Sequence, residues 1–372
     1  MAGTYRSFVK RLFIILNSIT AFVFLLTCLI PYLNQEKWWP VSILGLGTGI
    51  LVALLILFLL FWIIIKPRYV FISLVPLLVG WKNITSIFAF NTPSKFTYNK
   101  PKDVLRVVSW NVARFTEWKR NNNKGSQTRL KMMDLIKEQN ADVLCLQEFF
   151  HSDDSIYYDN LNHVMKKLGY PYFYYSWDDD GHLQWVGQAI FSRFPIIDSG
   201  MVRYPRPSMP EALIHADIVF NKDTVRFYTT HLQSFKFKKD DYERIEKIKS
   251  REDSLLYNSA NLFSKFKRAI TLRSRQADIV KEIVRNSPHP YILTGDLNDI
   301  PNSYTYFTIR RDLQDAFLKQ GFGVGRTFTG IAPTLRIDYI LATNEFNVHQ
   351  FNRIVKNYSD HYMLVADFKI KK

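Results

Sequence analysis

Apolar stretches near the N-terminus constrain this chain more than any other feature of its sequence. Residues 12–33 are almost wholly apolar, and residues 41–65 carry no charge and include the run LVALLILFLLFWIII. A helix needs about 20 apolar residues to cross the hydrocarbon core of a bilayer, so both stretches qualify. Residues 69–90 are interrupted by Lys82 and Asn83. They form either a full span, with Lys82 reaching the headgroups, or a short one ending near Trp81. We predict a membrane anchor of two or three helices within residues 1–90.

The distribution of charge predicts how this anchor is oriented. The first 102 residues carry ten Lys or Arg but only one acid, Glu36, in a chain whose net charge is +16. Basic residues are enriched on the cytoplasmic side of spans, so the basic N-terminus and the loop 66–68 belong inside. The loop between the first two spans is nearly neutral and carries Trp38 and Trp39, which suit an interface. We expect three spans, which place the remaining chain on the extracytoplasmic side; two spans would place it inside.

The rest of the chain changes character after a polar linker, residues 91–103. Two cysteines among 372 residues exclude a disulfide scaffold and a Cys-rich zinc module, while 47% hydrophobic residues suffice for a core. Within 104–372, short β-rich runs alternate with turns and helical stretches, which is typical of an α/β domain with mixed sheets. The runs are VLRVVSWNV, ADVLCLQEF, QAIFSRFPI, ALIHADIVF, TVRFYTTHL, HPYILTGDLN, RIDYILA and YMLVADFKI.

Polar side chains stand at the ends of these predicted strands. Where neighbouring strands alternate in direction, the ends of some and the starts of others share one sheet edge. Polar groups placed there would form a site of carboxylates, amides and imidazoles. The residues at strand ends or starts are Asn111, Gln147, Glu148, His231, Asp296, Asn298, Asp338, Asp360 and His361.

The chemistry open to such a set is limited. The chain has no H-E-x-x-H motif and no G-x-S-x-G motif, which disfavours a zinc protease and the common type of serine hydrolase. Oxygen ligands such as Glu148 and Asn111 suit a hard cation, Mg²⁺ or Mn²⁺. A cation combined with imidazoles and an amide suits the attack of water on a phosphate ester, because the transition state is anionic.

Seven segments of the chain resemble the endonuclease/exonuclease/phosphatase (DNase I-like) superfamily. They are SWNVARF, LCLQE, AIFSRFPI, THLQS, LTGDLND, RIDYIL and SDH, in the order found in that superfamily. The resemblance covers residues 104–372 and leaves the apolar anchor outside. It implies a four-layer α/β sandwich with two packed mixed sheets and a metal-dependent phosphoester hydrolase activity.

The resemblance also implies roles for the oxygen-bearing side chains. Glu148 corresponds to the main metal ligand, with Asn111 beside it, and Asp360 to an additional carboxylate of the metal site. Asp296 corresponds to the carboxylate that orients or deprotonates the attacking water. Asn298 corresponds to the amide that contacts the scissile phosphate.

Two histidines complete the expected site. His361 resembles the histidine that stabilises the pentacovalent phosphorus, with Asp338 as its carboxylate partner. His231 resembles the second histidine of the site, and we pair it with Glu211. A carboxylate partner fixes a histidine's tautomer and favours its charged form, which a phosphate site requires.

The sequence leaves the substrate open. An anionic phosphodiester, either nucleic acid or a phospholipid headgroup, fits the motifs best. A phosphomonoesterase of the inositol-phosphate type is an alternative, and so is a non-catalytic membrane scaffold that kept the fold. The charge-rich residues 235–268 are predicted to be a solvated helical insertion; an arm that reaches toward an anionic polymer or headgroup is the other interpretation.

Overall fold

The computed structural model describes residues 2–119, 124–154, 156–205, 211–235, 255–330 and 334–371. Residues 236–254 of the predicted charged insertion lie outside the described residues. By length and composition, two N-terminal helical segments, Tyr5–Tyr32 and Gln35–Ile65, are able to cross a membrane. There are three if the bent pair Pro67–Val79 and Trp81–Ile87 counts as one span. The N-terminal helices are α1 (Ala2–Cys28), α2 (Gln35–Leu44), α3 (Thr48–Ile65), α4 (Phe71–Val79) and α5 (Trp81–Ile87).

The predicted loop between the first two spans is helical instead. Asn34 caps α2 by accepting hydrogen bonds from the backbone of the first turn, and α2 meets α3 through a 3-10 turn at Gly45–Gly47. Gly45 allows a close approach there, because a Cβ at this position would lie 2.9 Å from Cδ1 of Ile30 and 3.1 Å from the carbonyl oxygen of Asn302. The second apolar stretch therefore packs against the rest of the protein before its span begins.

The third apolar stretch is broken at Gly80, where α4 and α5 meet at 65°. The polar residues that weaken this stretch in the sequence lie beyond the break. Asn83 is buried and donates a hydrogen bond to Asn302 at 2.7 Å, while the Lys82 ammonium lies 5.5 Å from the ring centroid of Phe307. Asn83 therefore faces protein, while Lys82 stays exposed, and the bent pair has the composition of a span only when both of its helices are counted together.

The remaining helices and the strands form a sandwich of two sheets. The helices are α6 (Lys124–Gln139), α7 (Asn160–Asn162), α8 (Leu255–Arg285), α9 (Tyr304–Arg310) and α10 (Ala316–Gln320). The strands are β1 (Ala89–Phe90), β2 (Leu105–Asn111), β3 (Val143–Ser152), β4 (Tyr172–Tyr175), β5 (Asp178–Gly181), β6 (Gln184–Ser192), β7 (Ile196–Arg203), β8 (Ala212–Phe220), β9 (Asp223–His231), β10 (Tyr291–Asp296), β11 (Gln314–Asp315), β12 (Phe322–Gly323), β13 (Asp338–Ala342), β14 (Phe346–Ile354) and β15 (Met363–Ile370).

Each of the eight predicted runs contains one of these strands. One sheet has the order β11-β13-β10-β9-β8-β7, and the other has the order β14-β15-β2-β3-β6-β4, with β5 added to β6. An apolar core that includes Val107, Cys145 and Phe227 fills the space between the sheets. On the outer faces, α6 packs on one sheet and α8 with α9 on the other. The predicted four-layer α/β sandwich is confirmed.

The strand directions bring the polar strand ends to one edge. Strands β2 and β3 are parallel, with Asn111 opposite Gln147, and β9 and β10 are parallel, with His231 opposite Asp296. Strand β13 runs antiparallel to β10, so its first residue, Asp338, pairs with the last residue of β10. Asn111 and Gln147 share an edge because β2 and β3 are parallel, and so do His231 and Asp296 at the ends of β9 and β10, whereas Asp338 joins Asp296 because β13 runs the opposite way. The expected alternation of direction holds for β10 and β13 and not for the two parallel pairs.

Candidate active site

A β-bulge aims Glu148 into the site. The pairing of β3 with β6 shifts between Leu146 and Phe149, so Gln147 and Glu148 together oppose a single residue. Glu148 has a φ of +49°, a conformation that a residue with a side chain rarely adopts. Gln147 uses its amide to bond Thr229 of the second sheet at 2.8 Å. A bulge redirects side chains, and here it frees the carboxylate from the regular alternation of the strand.

Asn111 joins the two carboxylates on either side of it. Its Nδ2 donates to Oε1 of Glu148 and to Oδ2 of Asp296, both at 3.2 Å. Its Oδ1 accepts a hydrogen bond from the backbone of Ala113 at 3.1 Å. The amide is therefore fixed in orientation, and it holds one carboxylate from each sheet within reach of the other.

His361 and Asp338 form a buried pair. Nδ1 of His361 lies 3.0 and 3.1 Å from the two carboxylate oxygens of Asp338, which leaves Nε2 directed toward Asp296 at 3.6 Å. Burial lowers the pKa of His361, but the carboxylates of Asp338 and Asp296 outweigh that effect and raise it to about 10. The ring is thus an imidazolium at neutral pH, with a charged N–H facing the site.

Asp296 lies between two imidazoles at the end of β10. Its Oδ2 is 3.6 Å from Nε2 of His231 and 3.6 Å from Nε2 of His361, and its Oδ1 accepts the backbone N–H of Asn298 at 2.8 Å. Burial raises the pKa of Asp296 to about 6, although the neighbouring imidazoles oppose the rise. A carboxylate of raised pKa is a stronger base than an ordinary aspartate, which suits it to accept a proton.

The remaining predicted residues have different surroundings. Asn298 has a φ of +51°, and its Nδ2 donates to the carbonyl of Leu232 at 2.9 Å. Asp360 is more than half exposed, with Oδ1 at 4.0 Å from Nε2 of His361. Glu211 is buried and accepts a hydrogen bond from Gln276 at 3.0 Å. Its pairing with His231 stays a prediction, while the acids measured beside His231 are Glu148 and Asp296.

Some supporting residues were not predicted from the sequence. Ser359 donates to the carbonyl of Asn111 at 2.7 Å and accepts the backbone N–H of His361 at 3.1 Å, which ties the end of β2 to the segment that precedes β15 in the same sheet. The ring of Phe328 lies 4.9 Å from that of His361. Arg273 is buried and donates to the carbonyl of Gln233 just after β9. Ser359 precedes the aspartate–histidine pair directly, so the S-D-H motif was the signal available for it.

The donor set suits a hard divalent cation. The Glu148 side chain is about one third exposed, and among the described residues no Lys or Arg forms an ion pair with it. The Asn111 amide donates to both Glu148 and Asp296 and so keeps the two carboxylates close together, and carboxylate oxygens are what Mg²⁺ and Mn²⁺ prefer. Asp296, Asp338 and His361 also offer ligand atoms that lie within 4.8 Å of one another. Within the group of Asp296, Asp338 and His361, the Asp338 carboxylate is already used to bind the His361 ring. Glu148 is therefore the better candidate for the acid that binds a cation.

These side chains open into a cavity of about 220 Å³. Glu148, His231, Asp296, Asn298 and His361 form its polar wall. The lining also includes apolar side chains, one of which comes from the N-terminal helical region. The apolar lining residues are Leu46, Phe235, Ile300, Phe328, Leu335 and Ile337.

Comparison with known proteins bears on both parts of the chain. Residues 108–361 match the model of the Endonuclease/Exonuclease/phosphatase family, and residues 10–87 match that of a domain of unknown function. No curated protein matches the chain. A solved endonuclease/exonuclease/phosphatase from Beutenbergia cavernae DSM 12333 is similar, with a TM-score of 0.53 and 20% identity over 72% of this chain and 72% of that one. A humanized D. rerio TDP2 with 14 mutations has a TM-score of 0.51 and 17% identity, over 72% of this chain and 99% of that one. At these identities, the likeness supports the fold.

Proposed function

Because the chain belongs to the endonuclease/exonuclease/phosphatase family, we propose that it is a divalent-metal-dependent phosphoester hydrolase, and specifically a phosphodiesterase. One observation carries the proposal. Two carboxylates and two imidazoles line one cavity, namely Glu148, His231, Asp296 and His361, and the buried amide of Asn111 donates to both carboxylates. A scaffold without activity has no need for this arrangement.

We assign Asp296 to the attacking water. It is buried, it is flanked by Nε2 atoms on both sides, and its raised pKa makes it able to take a proton near neutral pH. A water held by its carboxylate would be oriented toward a phosphorus atom in the cavity. Asn298 follows two residues later and lines the same cavity, where its amide is available to a phosphate oxygen.

We assign His361 to the charge that develops on phosphorus. Asp338 holds the ring through Nδ1, so the proton on Nε2 points to the reacting group. The imidazolium is already charged and oriented before the reaction, and such preorganised donors stabilise an anionic transition state most effectively. His231 stands on the other side of Asp296 and would contribute in the same way.

Glu148, with Asn111 beside it, would hold the divalent cation. When bound, such a cation neutralises phosphate charge and polarises the phosphoryl group. Asp360, which lies at the cavity and is largely exposed, would supply a further carboxylate. We assign no role to Glu211 in cation binding.

We further propose that the N-terminal helices hold the enzyme in a membrane with the sandwich outside the cytoplasm. Thr27, Thr48 and Asn83 are all hydrogen-bonded to Asn302 of the sandwich, whereas residues 66–68 lie at the other end of α3. The basic N-terminus begins α1 at that far end as well. If the basic ends are cytoplasmic, the sandwich is extracytoplasmic.

The test uses the full chain purified in detergent, with bis-p-nitrophenyl phosphate and p-nitrophenyl phosphate as substrates. We expect the diester to be cleaved with Mg²⁺ and not with EDTA. Glu148→Ala, Asp296→Asn and His361→Ala should each lower kcat/KM by about 10²–10³-fold or more.

The control variants remove the same functional groups elsewhere. Glu345→Ala and Asp312→Asn change exposed acids near Thr343 and Asn344, at the opposite end of β13 from Asp338, and should keep full turnover. Near-normal turnover in a folded Asp296→Asn protein would contradict the assignment. Cleavage of the monoester alone would replace the phosphodiesterase by a phosphomonoesterase.

A further inference from the structure

Apolar side chains line part of the site cavity, and one of them, Leu46, belongs to the N-terminal helical region. Leu46 lies in the 3-10 turn between α2 and α3, and it lines the same cavity as Asp296 and His361. Leu46 is 45% exposed, so its side chain is available to a bound molecule. A substrate in this cavity would therefore contact both polar catalytic groups and an apolar surface.

The described lining of the cavity carries acids and histidines and offers no ammonium or guanidinium group. Among the described residues that line it, none is Lys or Arg. Binding of a nucleic acid depends on basic side chains along the phosphate backbone, and a polyphosphate also needs several cations. A molecule with a single phosphoester and an apolar body matches this lining better.

The N-terminal helices are docked on the sandwich by buried polar contacts. Asn302, a few residues after Asp296, accepts a hydrogen bond from Asn83 at 2.7 Å and donates to Oγ1 of Thr48 at 2.9 Å and to the carbonyl of Thr27 at 3.3 Å. It thereby joins the ends of α1, α3 and the bent α4–α5 pair. The cavity is therefore fixed at the ends of these helices.

This docking sets the level of the cavity relative to a bilayer. Leu46 precedes Thr48, the first residue of α3, by two positions. The 18 residues of α3 span about 27 Å at 1.5 Å per residue, close to the thickness of a hydrocarbon core. Leu46 then stands at the boundary between hydrocarbon and headgroups.

Exposed aromatic side chains occur at both helical segments that adjoin the sandwich. Trp81 and Phe90 are both more than half exposed, and their rings stack at 6.0 Å. In α2, Trp38 is 53% exposed, and Trp39 contacts the exposed Phe263 of α8. Aromatic residues concentrate at membrane interfaces, so both the helices and the sandwich contribute to an interfacial belt.

We infer that the substrate is the phosphoester of a membrane lipid, which enters the cavity from the bilayer surface past Leu46 while its chains stay in the hydrocarbon. This inference rests on the proposed hydrolase function. Hydrolysis consumes one water, whose oxygen bonds to phosphorus. The P–O bond to the alcohol breaks, and the leaving alkoxide takes a proton. A phosphodiester gives an alcohol and a phosphomonoester, and a monoester gives an alcohol and inorganic phosphate.

The experiment reconstitutes the full chain into phosphatidylcholine vesicles that also contain phosphatidylglycerol, sphingomyelin or phosphatidate. Released alcohols and phosphates are quantified with Mg²⁺ present. Bis-p-nitrophenyl phosphate and a single-stranded DNA oligonucleotide serve as soluble substrates of the same preparation. We expect at least one of the four lipids to be cleaved with kcat/KM about tenfold or more above both soluble substrates.

Leu46→Gln tests the route, with Leu44→Gln as the matched control. Leu44 is 39% exposed, ends α2, and is not among the described residues that line the cavity. We expect the ratio of lipid to soluble-diester kcat/KM to fall about tenfold in Leu46→Gln, because an apolar contact is lost, and to stay at the wild-type value in Leu44→Gln.

The outcomes separate this inference from the function on which it rests. Cleavage of the diester or the oligonucleotide without cleavage of any lipid overturns the inference and leaves the hydrolase in place. No turnover on any substrate, lipid or soluble, overturns the proposed function itself. If the ratio of lipid to soluble-diester kcat/KM is the same in the wild type and in Leu46→Gln, the proposed entry of the lipid past Leu46 is wrong.

Discussion

Replacing Asn302 tests whether the helices and the sandwich form one unit. The side chain is 1% exposed and makes three hydrogen bonds, to Asn83, Thr48 and the carbonyl of Thr27. A buried hydrogen bond contributes roughly 1 kcal/mol net, so Asn302→Ala should weaken the docking by about 3 kcal/mol. Since 1.4 kcal/mol corresponds to a factor of ten, the undocked population should rise about 100-fold.

Hydrogen exchange of the backbone amides of α5 measures this opening. These amides exchange when the helix separates from the sandwich and frays, so their rates report the free energy of that event. Asn302→Ala should speed their exchange about 100-fold. Thr48→Val removes one of the three hydrogen bonds of Asn302 and should speed exchange in α5 about fivefold. This milder variant keeps the test informative if Asn302→Ala fails to fold.

Asn286→Ala is the matched control, because this exposed amide bonds only the carbonyl of Glu282 in its own helix among the described residues. It should leave exchange in α5 unchanged. Exchange rates in folded Asn302→Ala within about threefold of the wild type would refute the reasoning, since the three bonds would then contribute nothing to docking.

The remaining predictions concern the site, the core and the surface. Asp338→Asn should lower kcat on bis-p-nitrophenyl phosphate by about 10²–10³-fold with a smaller change in KM, because the His361 ring loses the carboxylate charge that orients it. A loss of kcat/KM of the same size that came from a higher KM, with kcat unchanged, would contradict this prediction. Arg336→Met should lower the free energy of unfolding in denaturant titrations by about 3–5 kcal/mol, because Asp315 is left buried without its ion-pair partner at 2.6 Å. Glu36→Gln should change the free energy of unfolding by less than about 1 kcal/mol, since the ion pair of Glu36 with Arg275 is exposed. A larger loss would contradict this and give the ion pair a structural role.

The edge that carries the candidate site could be predicted because its information is local in the sequence. A polar residue at either end of an apolar β-rich run lies at a strand end, and this placed Asn111, His231, Asp296 and Asp338 on one edge. The direction of each strand was supposed to alternate, whereas β2 with β3 and β9 with β10 are parallel, because direction depends on tertiary pairing. Glu148 was predicted as well, but the bulge that turns its carboxylate into the site was not, because register depends on the partner strand.

The docking of the helices was not predictable from hydropathy. Lys82 and Asn83 were interpreted as polar interruptions of a weak span, since a hydropathy pattern does not distinguish lipid from a protein surface as the neighbour. Their true partners, Phe307 and Asn302, lie more than two hundred residues away. The helical form of α2 was missed for a related reason, since Pro40 and the polar start of the segment indicate a loop.

The buried polar contacts between the N-terminal helices and the sandwich bear on the class of substrate. A hydrolase on a flexible tether can turn its site toward a polymer in solution, and such a tether requires no buried amide between helix and sandwich. Here Asn302 gives up hydration to bind three helix ends, a cost that is recovered only in the docked state. Docking also fixes Leu46 in the wall of the cavity. A fixed orientation would narrow the access of soluble polymers to the site, while it would let a lipid phosphoester, the substrate inferred above, reach Asp296 and His361 by diffusion in two dimensions. The rigid junction and the apolar lining residues therefore favour the same class of substrate on independent grounds.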